Sequence, residues 1–78
     1  MIQKIRAYIL TDIANDSNLV ISDDDDLLGS GIIDSMGIMK LVAFLENEAD
    51  VKIPPGEIVI ENFMNLNAIE HYLNTKQD

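Results

Sequence analysis

The chain has 78 residues and no cysteine, so it is read as one small domain, residues 1–78, that can build neither a disulfide framework nor a thiolate metal site. Fourteen acidic against five basic side chains give a formal net charge of -9, which excludes a nucleic-acid partner, because binding phosphates needs clustered Lys and Arg. Charges inside the apolar periodicity of Met1-Ile2-Gln3-Lys4-Ile5-Arg6 exclude a signal peptide or membrane insertion, so a monomeric cytoplasmic protein running from Met1 to the polar tail Asn74–Asp78 is expected.

The first element is a helix over residues 2–15. Ile2, Ile5, Ile9 and Ile13 follow a 3,4,4 spacing that puts four branched side chains on one helical face. Tyr8 and Leu10 flank that stripe, and the turn-forming cluster Asn15-Asp16-Ser17-Asn18 ends it.

A long connection follows, from Asp16 to Asp34. Loops of this length in a compact domain are functional or packed by their own side chains. Leu19, Val20 and Ile21, and then Leu27, Leu28, Ile32 and Ile33, are apolar enough to tuck under it, while Gly29 and Gly31 permit turns. Its acidic run, Asp23-Asp24-Asp25-Asp26, invites comparison with a calcium loop. An EF-hand needs a Gly at its sixth position, an oxygen ligand at its fifth and a Glu at its twelfth. Starting at Asp24 aligns Gly29 but leaves Leu28 and Ser35 at the other two, so the register fails and no metal site is expected.

The second helix spans Ser35 to Ala49. Ile38, Leu41, Val42, Leu45 and Ala49 gather on its core face, whereas Met36 points away from them, with Met39 at its flank and Lys40 outside. An exposed Met costs solubility, and a soft, adaptable contact for a partner explains it. Gly37 in the first turn weakens the helix by up to ~1 kcal/mol relative to Ala. Asp50 to Gly56 breaks the helix at Pro54-Pro55, with Val51 and Ile53 anchoring the break to the core. Glu57 to Phe63 makes a short third helix. Asn65 or Asn67 caps the last helix, whose core positions are Leu66, Ile69, Tyr72 and Leu73. The fold expected is all-α, a small bundle of three main helices plus one short one, with a long loop between helices 1 and 2.

Ser35 stands where the acidic loop meets the second helix. It is either an ordinary helix cap or a hydroxyl presented for modification. Nucleophilic catalysis would need a base and a third, orienting group, and no such pattern surrounds it. His71, the only histidine, lies in the last helix and reads as a surface or boundary residue. The chain is therefore not expected to be an enzyme.

Asp34-Ser35-Met36, preceded by Leu28-Gly29-Ser30-Gly31-Ile32-Ile33, resembles the modification site of acyl carrier proteins and peptidyl carrier domains. The resemblance continues through Leu41-Val42-Ala43-Phe44-Leu45-Glu46-Asn47-Glu48, Ile53-Pro54-Pro55, Phe63 and Ala68-Ile69, and covers essentially the whole chain. It implies that Ser35 carries a 4'-phosphopantetheine arm, transferred from coenzyme A by a phosphopantetheinyl transferase. The arm's thiol would hold an acyl or aminoacyl group as a thioester and present it to ligase, synthase or transferase enzymes. Asp34 could then cap the helix and leave the Ser35 hydroxyl free.

This chain departs from carriers of fatty-acid synthesis, which place acidic residues early in the second helix. Here that stretch reads Gly37-Ile38-Met39-Lys40. A specialised stand-alone carrier is expected, contacting its partners through Asp34, Met36, Met39 and Lys40. Its cargo could be fatty acyl or polyketide, or alternatively D-alanyl or another aminoacyl group. The competing class is an acidic helical interaction module in which Ser35 stays unmodified.

Overall fold

A computed structural model describes residues 1–16 and 18–76, and no strand occurs among them. Helix α1 (Ile2–Tyr8) continues into a π-helical turn, Ile9–Ile13. After the long loop come α2 (Ser35–Ala49), a 3-10 turn (Pro55–Glu57), the one-turn α3 (Ile60–Phe63) and α4 (Leu66–Lys76). The expected all-α bundle of three main helices and one short helix is what the chain forms.

The apolar stripes meet in one core. Ile5 and Ile9 from the first helical stretch pack with Leu41, Val42 and Leu45 of α2 and with Leu66, Ile69, Tyr72 and Leu73 of α4. Ile2, Ile13, Ile38 and Ala49 lie half-buried at the rim of the same cluster. Asn15 ends the first helical stretch in the left-handed region at φ 52°, and the Asp16 carboxylate accepts from the Asn18 amide at 3.0 Å. Ser17 of that turn, like Gln77 and Asp78 of the tail, lies outside the described residues.

The long loop is packed by its own side chains, as its apolar residues require. Ile21, Leu27 and Ile33 are buried, and the Leu27 amide donates to the Met64 carbonyl at 2.9 Å, which ties the loop to the α3–α4 junction. Val20 departs from expectation: it is 82% exposed, between the half-buried Leu19 and the buried Ile21. Each acidic side chain of the quartet has local work. The Asp23 carboxylate pairs with the Arg6 guanidinium, while Asp24 accepts from the Asn67 side-chain amide at 2.5 Å. Asp25 accepts from the Ser22 amide and Asp26 from the Gly29 amide, both at 2.8 Å. Among the described residues no group of three or more acidic or histidine side chains could hold a metal ion.

Gly37 has a role other than the one its helix propensity suggests. It is buried, and a Cβ there would stand 2.9 Å from Ile13 Cγ2 and 3.1 Å from Ile33 Cγ2. Both neighbours are β-branched and stiff, so Gly lets the first turn of α2 approach the π-turn and the loop closely.

The stretch read as one short helix over 57–63 is divided. Ile58 and Val59 are non-helical between the 3-10 turn and α3, with Val59 extended at φ -128°, ψ 160°. Consecutive β-branched residues disfavour the helical region, and the Asn62 side chain fills in by donating to the Glu57 carbonyl at 2.8 Å. Asn65 caps α4, its side-chain oxygen accepting from the Ala68 amide at 2.7 Å, while Asn67 serves the loop instead.

Glu57 binds this stretch to α4. Its carboxylate accepts from the Tyr72 hydroxyl and from Lys76 Nζ, the latter at 3.0 Å. Tyr72 first and Lys76 second hold the Glu57 carboxyl below its ordinary value, while burial first and Glu57 second push the Tyr72 phenol up. The folded carboxyl thus titrates below the unfolded one, which lies at about 4.3. The contribution of these bonds is complete above that unfolded value and is lost as pH falls through the folded one. Wild type should therefore melt higher than Glu57→Gln at neutral pH, and the two should converge as pH falls through the lowered folded value. A gap that persists undiminished in thermal melts at lower pH would contradict this.

Candidate functional site at the N-terminus of helix α2

The first turn of an α-helix leaves backbone N–H groups without intrahelical partners, and a short acceptor side chain just before it meets one of them. Asp34 does this here. Its backbone is extended (φ -99°, ψ -171°), and its carboxylate accepts from the Gly37 amide at 2.7 Å. Ser35 is therefore the first helical residue and not the cap. Its side chain is exposed, and its hydroxyl makes no hydrogen bond among the described residues.

The cap has a measurable value. Asp34→Ala should cost about 1 kcal/mol of unfolding free energy in urea titration, whereas Asp34→Asn, which keeps the acceptor, should cost much less. Equal losses in the two variants would contradict the capping role.

Two grooves flank Asp34. One, of about 410 Å³, opens beside Ser35. Leu28, Ile33 and Ile38 line one side of it and Ile58, Val59, Ile60 and Phe63 the other. Apart from Asp34 and Ser35, every residue lining it is apolar. The second, of about 450 Å³, lies between the end of the π-turn and α2, and takes in Asp16, Asp34, Met36 and Lys40.

Met36 is 74% and Met39 57% exposed, as their phase on the helix predicted. Lys40 is exposed as well and forms no ion pair among the described residues, while its carbonyl accepts from the Tyr8 hydroxyl at 3.3 Å. Asp34, Ser35, Met36, Met39 and Lys40 thus share the first turns of α2. His71 is exposed on α4 and is not among the residues lining either groove. Sequence reasoning missed the far wall, Ile58–Ile60. Its signal was a run of three branched apolar residues, two of them exposed, in a segment too short to need so many for the core.

Comparison with known proteins follows the same residues. A family model described as "Phosphopantetheine attachment site" matches residues 3–73. The D-alanyl carrier proteins of Streptococcus sanguinis (strain SK36) and Streptococcus gordonii are each 37% identical to this chain over 46 residues, 59% of this chain and 58% of theirs. The match spans little more than half the length of those curated relatives. Among solved structures, a chain described as "Crystal structure of FAD-dependent dehydrogenase" superposes with a TM-score of 0.80 at 29% identity, covering 88% of this chain and 97% of that one.

Proposed function

Since the chain belongs to the phosphopantetheine-attachment family of acyl and peptidyl carrier proteins, we propose that Ser35 is the residue bearing its 4'-phosphopantetheine arm. The observation that carries this reading is the division of labour at the start of α2: Asp34 caps the helix, and the neighbouring Ser35 hydroxyl is left exposed and unbonded. The residues fit the group. Unpaired N–H groups and the partial positive charge of a fifteen-residue helix favour a phosphodiester at that position. The apolar groove beside the hydroxyl offers the rest of the arm a surface to lie along. When attached, the arm supplies the thiol that this cysteine-free chain lacks, and through it the capacity to carry an acyl group.

In this reading the chain positions cargo and the chemistry belongs to its partners, a phosphopantetheinyl transferase and the ligases, synthases or transferases that load and unload the arm. Met36, Met39 and Lys40 form the adjoining contact face, while Asp34 acts through the cap. Among the described residues no helix is long and apolar enough to cross a membrane, which accords with a carrier that moves between enzymes.

For the cargo, the D-alanyl carrier relatives support an aminoacyl group. The groove favours a second reading, an apolar acyl chain, because apart from Asp34 and Ser35 every residue lining it is apolar.

Fragmentation of the wild-type chain after incubation with coenzyme A and a broad-specificity phosphopantetheinyl transferase tests the assignment. The added group should map to Ser35. Its recovery on any other hydroxyl would overturn the reading.

A further inference from the structure

The far wall of the groove at Ser35 has little to hold it in place. Ile58 and Val59 are non-helical, and α3 is only four residues long. A single helical turn has no stability of its own, because nucleation fixes several residues for one hydrogen bond. Ile58 is half-buried against the core, but Val59 is 40% and Ile60 66% exposed, so burial holds only the first residue of the wall. Besides the Asn62 bond to the Glu57 carbonyl and the loop's bond to Met64, the wall is fastened at its two ends to one helix, α4.

At the upstream end, the Glu57 carboxylate accepts from Tyr72 and Lys76, two donors on α4. At the downstream end, Phe63 is 1% exposed and its ring lies against that of Tyr72, with centroids 5.6 Å apart. Tyr72 therefore acts twice, its hydroxyl holding one end of the wall and its ring the other. Exposed ion pairs contribute little alone, and Lys76–Glu57 would be one of those. The hydroxyl of Tyr72 changes the balance. That residue is only 7% exposed, so the phenol would lose its acceptor in a place that water reaches poorly.

We propose that Glu57, Tyr72 and Lys76 form a clamp that sets the position of the Ile58–Ile60 wall and thereby the aperture of the groove beside Ser35. Glu57 is a positioning residue. It is not among the residues lining the groove, and acts by holding those that are. The role of the aperture in sheltering cargo rests on the carrier reading, whereas the clamp itself does not.

Amide hydrogen exchange on the unmodified chain tests the clamp independently of any attachment to Ser35. In Glu57→Gln and in Tyr72→Phe, which keeps the ring against Phe63, exchange over residues 58–63 should accelerate about tenfold while Leu41 to Leu45 hold their protection. Uniform acceleration over the whole chain, or an unchanged pattern, would overturn the clamp. The second measurement uses protein loaded from octanoyl-coenzyme A or acetyl-coenzyme A by the transferase. Release of octanoyl by hydroxylamine should be severalfold faster from Glu57→Gln than from wild type, with acetyl released equally from both. Equal octanoyl release from the two proteins would overturn the role at the groove.

Discussion

Phe63→Ala is expected to cost the chain about 3 kcal/mol, at the lower end of the range for truncating a buried Phe. The ring is 1% exposed, packs against Tyr72 and belongs to the cluster that joins all the main helices. It also lines the groove beside Ser35, so part of the space it vacates opens to water and does not persist as a dry cavity. The loss is still large for this molecule. A domain of this length has on the order of 4–12 kcal/mol of total stability, so the substitution removes a quarter of it or more. Urea unfolding should show a lowered midpoint with little change in slope. Ile60→Ala, on the same wall but 66% exposed, should stay within about 0.5 kcal/mol of wild type. Similar midpoints for the two variants would mean that Phe63 does not anchor α3.

The contrast between Phe63 and Ile60 also separates what the sequence discloses from what it hides. Helix α2 was legible as running roughly from Ser35 to Ala49, because its core stripe is regular and the Asp50–Gly56 stretch breaks it; that Asp50 ends it by turning left-handed at φ 53° was not. The core stripe of α4 was legible for the same reason: Leu66, Ile69, Tyr72 and Leu73 are all buried. Periodicity says nothing, however, about which elements approach closely. Gly37 reads as a weak helix former until Ile13 and Ile33 are seen against it.

Long-range polar pairing was hidden too. Tyr72 lies 15 and Lys76 19 residues beyond Glu57, and no local pattern announces that one carboxylate serves both. The site itself was half legible. Ser35 and its neighbours could be named from the Asp-Ser-Met triplet and its surroundings, but cap and free hydroxyl are indistinguishable until the acceptor of the Gly37 amide is known. The groove wall at Ile58–Ile60 depends on the split between the 3-10 turn and α3, which propensity blurs into a single helix.

Ser35→Ala carries the other large effect: complete loss of the arm without loss of the fold. The hydroxyl is exposed and unbonded and Asp34 keeps the cap, so removing one oxygen should change stability by no more than about 0.5 kcal/mol. Other hydroxyls are poorer candidates. Thr11 donates to the Ala7 carbonyl and Thr75 to the Tyr72 carbonyl, and both lie far along their helices, away from a helix N-terminus. Ser30 accepts from the Ile32 amide within the loop. A carrier that folds normally but accepts no group is the signature of a lost attachment point, whereas an interaction module would behave the same with or without the oxygen.

The most direct measurement is the intact mass of wild type and Ser35→Ala, treated side by side with coenzyme A and a broad-specificity phosphopantetheinyl transferase. Wild type should gain the mass of one phosphopantetheine group and Ser35→Ala none, with identical circular dichroism. No gain on wild type, or the same gain on both proteins, would contradict the assignment of Ser35 as the point where the arm is attached.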